Sequence, residues 1–164
     1  MEFYSGKIGY DQRKQVVDFG VLDTVAYSTG DILTSSALVI PSMARAQGMS
    51  GRIVRIMIKE TTSGTLQRPS LRLWFFGAPL SPASRNAPQA FTSTQIDSLV
   101  GTIDVNTVTY INCLTGVASY DATVYLPYDV QDTSTALYVV PEVRAAYTFH
   151  STARLIMQVV CEVD

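Results

Sequence analysis

Apolar and polar residues alternate with a period of two along most of this chain, most clearly between Gly51 and Gly77. In Arg52–Glu60 the positions Val54, Ile56 and Ile58 are apolar, and Arg55 and Lys59 interrupt the positions between them. After a polar Thr-Ser-Gly turn, Leu71, Leu73 and Phe75 share one face of Ser70–Gly77, with Trp74 and Phe76 on the other. Successive side chains on a strand point to opposite faces. This spacing on β-branched and aromatic residues, bounded by Gly and Pro, therefore predicts half-buried strands.

The pattern continues on both sides. Val17, Phe19 and Val21 alternate, and Val25 and Tyr27 carry the same face past Asp23. Ser28–Asp31 reads as a turn, and Ile32–Ile40 as an extended run stopped by Pro41. Further strands are expected at Val100–Val105, Val108–Leu114, Ala122–Tyr128 (closed by Pro127) and Ala136–Val140 (closed by Pro141). Thr152–Val163 is the longest clean alternation of all. From Gly77 to Ala90, Pro79, Pro82 and Pro88 forbid a helix or a central strand and predict a long surface loop. One short helical turn is expected where Thr94 can cap, Asp97 stands three residues on, and the turn ends near Gly101.

About nine or ten strands with no helices between them predict an all-β fold, an antiparallel β-sandwich or jelly roll, rather than βαβ units. Residues 16–164 form the single sandwich domain. Residues 1–15 lack a periodic face and are expected to be an extended N-terminal arm rather than a core strand. In that arm Phe3, Tyr4, Ile8 and Tyr10 are large and apolar or aromatic, and free in water they would invite aggregation. Together with Arg13 and Lys14 they are the candidate partner-contact residues.

Composition sharpens this picture. Apolar residues make up 47% and charged residues 16% of the 164 positions, well below the usual quarter for charge. A surface so sparse in charge suits permanent contact with other subunits. The 12 basic and 14 acidic residues leave a net charge of −2, and the densest basic spot, Arg13-Lys14, has Asp11 close by. Without a basic patch, nucleic acid is not an expected partner. No apolar run reaches transmembrane length and no leader-like pattern opens the chain, so membrane association is not expected either. The expectation is a soluble protein made in a cytoplasm.

Candidate chemistry is thin. His150 is the single histidine, and no Gly-x-Ser-x-Gly elbow accompanies it. His150, Cys113 and Cys161 lie too far apart in sequence to read as a zinc motif. Asp121, Asp129 and Asp132 do not match a calcium loop and are expected to serve turns. Cys161 shares the apolar face of Leu155, Met157, Val159 and Val163, so a buried thiol is expected; Cys113 reads the same way. A Cys113–Cys161 bridge would require neighbouring strands. No catalytic residue, cofactor site or metal site is expected, and the chain is not read as an enzyme. Among Trp74, Phe75, Phe76, Tyr120, Tyr125, Tyr128, Tyr138 and Tyr147, an exposed platform for sugar stacking remains an alternative, as in a carbohydrate-binding β-sandwich.

The order of segments carries a resemblance. It runs Ala26-Tyr27-Ser28-Thr29-Gly30-Asp31, Gly51-Arg52-Ile53-Val54-Arg55-Ile56-Met57-Ile58, then Leu71–Phe76 followed by Pro79. Gly101-Thr102-Ile103-Asp104-Val105, Leu137-Tyr138-Val139-Val140 and Leu155-Ile156-Met157-Gln158-Val159 complete it. Across roughly residues 25 to 163 this resembles the jelly-roll capsid decoration, or cement, proteins of tailed bacteriophages. Each segment alone is unspecific, and their order and spacing carry the likeness. The resemblance implies a non-enzymatic virion protein made in the host bacterial cytoplasm. It would bind the capsid exterior, clamp neighbouring major capsid proteins and form a homotrimer. Arg144, additional tyrosines and the long Gly77–Ala90 loop depart from the pattern, which puts the contact surfaces in doubt and not the class.

Overall fold

A computed structural model describes residues 11–163. Nine strands are present among the described residues: β1 (Asp11–Asp18), β2 (Leu38–Ile40), β3 (Ser50–Thr61), β4 (Leu71–Phe76), β5 (Leu99–Val105), β6 (Ile111–Leu114), β7 (Val117–Asp129), β8 (Leu137–Val143) and β9 (Arg154–Val163). A short helix, α1 (Ser93–Asp97), precedes β5, and a 3-10 turn (Thr107–Thr109) precedes β6. One sheet has the order β1-β9-β3-β7-β6 and the other β2-β8-β4-β5. The pairings β1 with β9, β2 with β8, β3 with β7 and β4 with β5 are all antiparallel and nested one inside the next. A chain paired this way is one long hairpin rolled on itself, which is the jelly roll. β6 is an addition, a short hairpin strand on the edge of β7.

The core fills the space between the sheets. Ile53, Ile56 and Ile58 of β3 and Leu155, Met157, Val159, Cys161 and Val163 of β9 belong to the same buried cluster as Leu71, Leu73 and Phe75 of β4 and Leu137, Val139 and Val143 of β8. The inward set of β3 differs from simple alternation. A register shift between Ile53 and Arg55 turns Ile53 inward and leaves Val54 only half-buried. One extra residue in a strand reverses the faces on either side of it.

Several expected boundaries move. Residues 11–15 are not part of an arm: they lie in β1, where Asp11 pairs with Val163 and Gln15 with Val159. The local pattern of polar side chains concealed a strand held by its backbone. β1 then stops at Asp18, whose carboxylate accepts from the Gly20 amide at 2.8 Å, with Gly20 at φ +77°. Past that break Val21 and Val25 are exposed, although Phe19 and Tyr27 are buried. Of Ile32–Ile40, only Leu38–Ile40 is strand, and Asp31 and Ile32 make isolated bridges to Pro88 and Glu142.

Both prolines expected to close strands lie inside them. Pro127 sits opposite Arg52 in β7, and Pro141 opposite Leu73 in β8. Proline is tolerated where a strand has no ladder partner on its second side. β6 does not extend to Pro127, and β2 ends before Pro141. The helix begins earlier than expected: Thr92, not Thr94, is the N-cap, and its hydroxyl and the Gln95 side chain form a reciprocal capping box. The Val108–Leu114 run divides into the 3-10 turn, capped by Asn106, and β6.

β4 is covered on both faces at its C-terminal end, where Phe76 is buried and Trp74 half-buried. Opposite the main core, Phe76 packs with Ile32 and Val140, and Leu80, Ala83 and Phe91 of the proline-rich loop lie over them beside Trp74 and Tyr138. The Phe91 ring stands 5.1 Å from both Trp74 and Phe76. Backbone bonds fasten the loop, with Ile32 N donating to Ala87 O at 2.9 Å and Asn86 N to Ile32 O at 2.9 Å. The loop is therefore a second layer of packing rather than a free surface segment.

Candidate interaction surface

Among the described residues, one edge of each sheet lacks a strand partner over part of its length, and the two edges lie on the same side. β7 pairs with β3 along nearly its whole length, but β6 covers only Val117–Ser119 on its other edge. From Asp121 to Pro127 that edge has no strand partner among the described residues. β5 is the last strand of the opposite sheet. The two edges approach at Gly101, where an added Cβ would stand 2.7 Å from Leu126 Cδ1. Where they diverge, a cleft of about 720 Å³ opens, with Leu99, Val100, Tyr125 and Pro127 among its apolar lining and Asp97 and Gln131 among its polar lining. The Arg52 guanidinium lies 5.5 Å from the centre of the Tyr125 ring and donates to Glu162 at 2.6 Å. Hydrogen bonds from Arg52, and secondarily Gln12, hold the Glu162 carboxyl below the usual range.

A second exposed feature lies between β5 and β7 in sequence. Val108 is 84% exposed, Ile111 70% and Leu114 73%. All four residues of β6, the edge strand beyond β7, are exposed. Scattered exposed apolar residues are ordinary, and three large ones in one short stretch make this the candidate interaction surface. The alternation that predicts burial in a paired, sandwiched strand misreads this edge strand. Cys113 is exposed with it, against expectation, whereas Cys161 is buried and burial pushes its thiol pKa up. Both cysteines are free.

The remaining candidates are placed as follows. Arg13 is half-buried and donates to the carbonyls of Ser42 and Ala44, each at 3.0 Å, tying β1 to the connection after β2. Lys14 is exposed on the same strand. Phe3, Tyr4, Ile8 and Tyr10 lie outside the described residues, as does the rest of the expected arm up to residue 10. His150 is exposed, with its Nδ1 2.8 Å from Thr152 Oγ1. Asp121 does not serve a turn: it lies within β7 and takes a two-pronged hydrogen bond from Arg55 of β3. On the other sheet, Arg72 grips Asp104 at 2.7 and 2.8 Å. These arginine bonds lower the pKa values of Asp121 and Asp104.

The aromatic residues do not assemble into a platform. Phe75, Phe76, Tyr120 and Tyr128 are buried, and Trp74 and Tyr138 lie under the proline-rich loop. The Trp74 indole N–H donates to the buried Glu142 carboxylate at 2.8 Å, a bond that also fixes its orientation. Of the eight aromatics named from sequence, Tyr125 alone is strongly exposed, at 71%.

No family model matches this chain. No curated protein matches it either. Among solved structures, a chain from the structure of black queen cell virus is 9% identical, over 98% of this chain and 74% of that one, with a TM-score of 0.27. A chain from the structure of a marine algae virus of the order Picornavirales is 10% identical, over 96% and 70%, with a TM-score of 0.31. The jelly-roll fold itself is established by the nested strand pairing.

Proposed function

We propose that this protein is a structural, non-enzymatic virion component that binds the outer surface of an icosahedral phage head and bridges neighbouring major capsid proteins, as a homotrimer. The observation that carries the reading is the set of exposed apolar residues Val108, Ile111 and Leu114, on the 3-10 turn and the edge strand β6 of a jelly roll. A jelly roll is a fold used in capsids and lectins alike, so fold by itself does not choose between them. The apolar hairpin favours a protein partner, since desolvating large aliphatic side chains drives subunit contact and contributes nothing to gripping a sugar. The low overall charge and a segment order that resembles that of head decoration proteins support the same reading. The carbohydrate-binding alternative is weakened by the packing of Trp74 and Phe76 beneath Phe91.

The test is co-sedimentation of purified protein with empty expanded heads, alongside retention on a glycan matrix. Stoichiometric, saturable binding to heads is expected, and Ile111→Asp with Leu114→Asp should abolish it while leaving the fold intact. Retention on glycans without head binding would overturn the proposal.

A further inference from the structure

We propose that two copies of this chain join edge to edge through β6 and the uncovered part of β7, in a lap joint with twofold symmetry. The inference goes beyond the virion role. It needs only two copies, so the joint operates between trimers as it does between single chains.

It starts from a step in the edge of the five-stranded sheet. β6 lines β7 only at Val117–Ser119, so the sheet is one strand wider there than along residues 121–127, where β7 has no second strand partner among the described residues. The step is one strand spacing deep, roughly 4.8 Å. A half-turn about an axis normal to the sheet, passing near residue 120, lays such a step against its own complement. The β6 of each copy then fills the recess of the other, and the two β7 strands are bridged along the whole joint. The four residues of β6 fit within residues 121–127 of the second copy. β6 runs antiparallel to its own β7 and, after the half-turn, parallel to the other, and mixed sheets accept both ladders. The contact is isologous, with the same surface contributed by each copy.

Charge points to a second copy as the occupant. Edge strands are usually guarded by charged residues or proline. Between residues 105 and 128 the single charged residue is Asp121, and Arg55 pairs with it. β6 has a register shift at Cys113 but carries neither a charge nor a proline, and Pro127 stands only at the far end of the recess. Two such edges meet without the penalty of like charges placed opposite each other. A second copy is also the partner whose edge has the matching step. β6 is held ready for it, because Asn112 Oδ1 accepts from Arg68 at 2.8 and 3.2 Å. Side chains stand out of the plane of a sheet, so edge pairing leaves the exposed Ile111 and Leu114 free to meet another protein.

The test uses the full chain with its native Cys113 as the probe. Within one copy Cys113 lies beside Val117 and Ala118, about five residues or ~17 Å along β7 from Thr123. A disulfide needs Cα atoms within ~7 Å, so no bond forms inside the chain. In the joint, Cys113 of the second copy comes to lie beside Thr123. Thr123→Cys and, as a control on the far edge of the same sheet, Lys14→Cys both alter exposed positions. Under mild oxidation at high protein concentration, Thr123→Cys should give dimers linked from Cys113 to the introduced thiol, severalfold faster than Lys14→Cys does, read by peptide mapping. Adding Cys113→Ser should abolish them. Equal rates, no interchain link, or a Cys113–Cys113 link as the main product would overturn the joint, since it holds the two Cys113 residues about 17 Å apart. Co-sedimentation of the reduced protein with heads scores the virion role separately. Head binding without the cross-link overturns the joint alone, and the cross-link without head binding upholds the joint and overturns that role.

Discussion

Replacing Phe76 with alanine should remove a large part of the stability of this protein, although Phe76 points away from the main core. Its side chain is fully buried between Ile32 and Val140, with the Phe91 ring 5.1 Å away at 52°. Deleting a buried phenylalanine ring costs about 3–5 kcal/mol, the transfer term plus the cavity left behind. The tilted pair with Phe91 accounts for about 0.5–1.5 kcal/mol of such a loss. The site sits at the upper part of the range if the loop stays fixed, because Ile32 is bonded to Ala87 and Asn86 and cannot simply collapse inward. With a urea slope of ~2 kcal/mol per molar, the unfolding midpoint should fall by ~1.5–2.5 M at constant slope. Phe91→Ala, at the partly buried end of the same stack, should cost less but expose the 77–91 loop to limited proteolysis. A Phe76→Ala loss below about 1 kcal/mol, typical of a surface position, would refute the two-sided burial of β4. It would also restore Trp74 and Phe76 as an accessible aromatic face.

Other measurements probe the rest of the structure. Glu60 is fully buried and accepts the Gln67 and Arg68 amides at 2.8 and 2.7 Å, so Glu60→Gln, which turns a donor toward one of them, should cost about 1.5–3 kcal/mol in thermal or urea unfolding. Asp104 and Asp121 have lowered pKa values in the folded state, mainly through hydrogen bonds from Arg72 and Arg55. The stability they add is complete above the ordinary carboxylate range, roughly pH 4, and is lost as pH falls through their lowered values. Asp104→Asn should flatten that acid limb of a stability-versus-pH series, and added salt should shrink it. A thiol reagent should titrate Cys113 in the native protein and Cys161 only after unfolding. Gly116→Ala should destabilise the β6–β7 hairpin, since Gly116 has φ +70° and a Cβ there would run into the Thr62 carbonyl oxygen.

The sequence by itself determined the class of fold, because a period of two is a property of the strand backbone and needs no partner to be legible. Leu71, Leu73 and Phe75, and the alternating positions of Leu155–Val163, face the core as their spacing predicts. Tertiary structure decided everything that depends on what lies opposite. β1 is a strand because β9 holds its backbone, which polar side chains such as Gln12, Arg13 and Lys14 do not reveal. One bulge chose Ile53 over Val54 for the interior. Phe76 is buried because a distant loop folds over it, and Ile111 is exposed on an edge strand. Hydrophobicity along a chain states which side chains gain from leaving water. Only the arrangement of neighbouring elements determines which of them do.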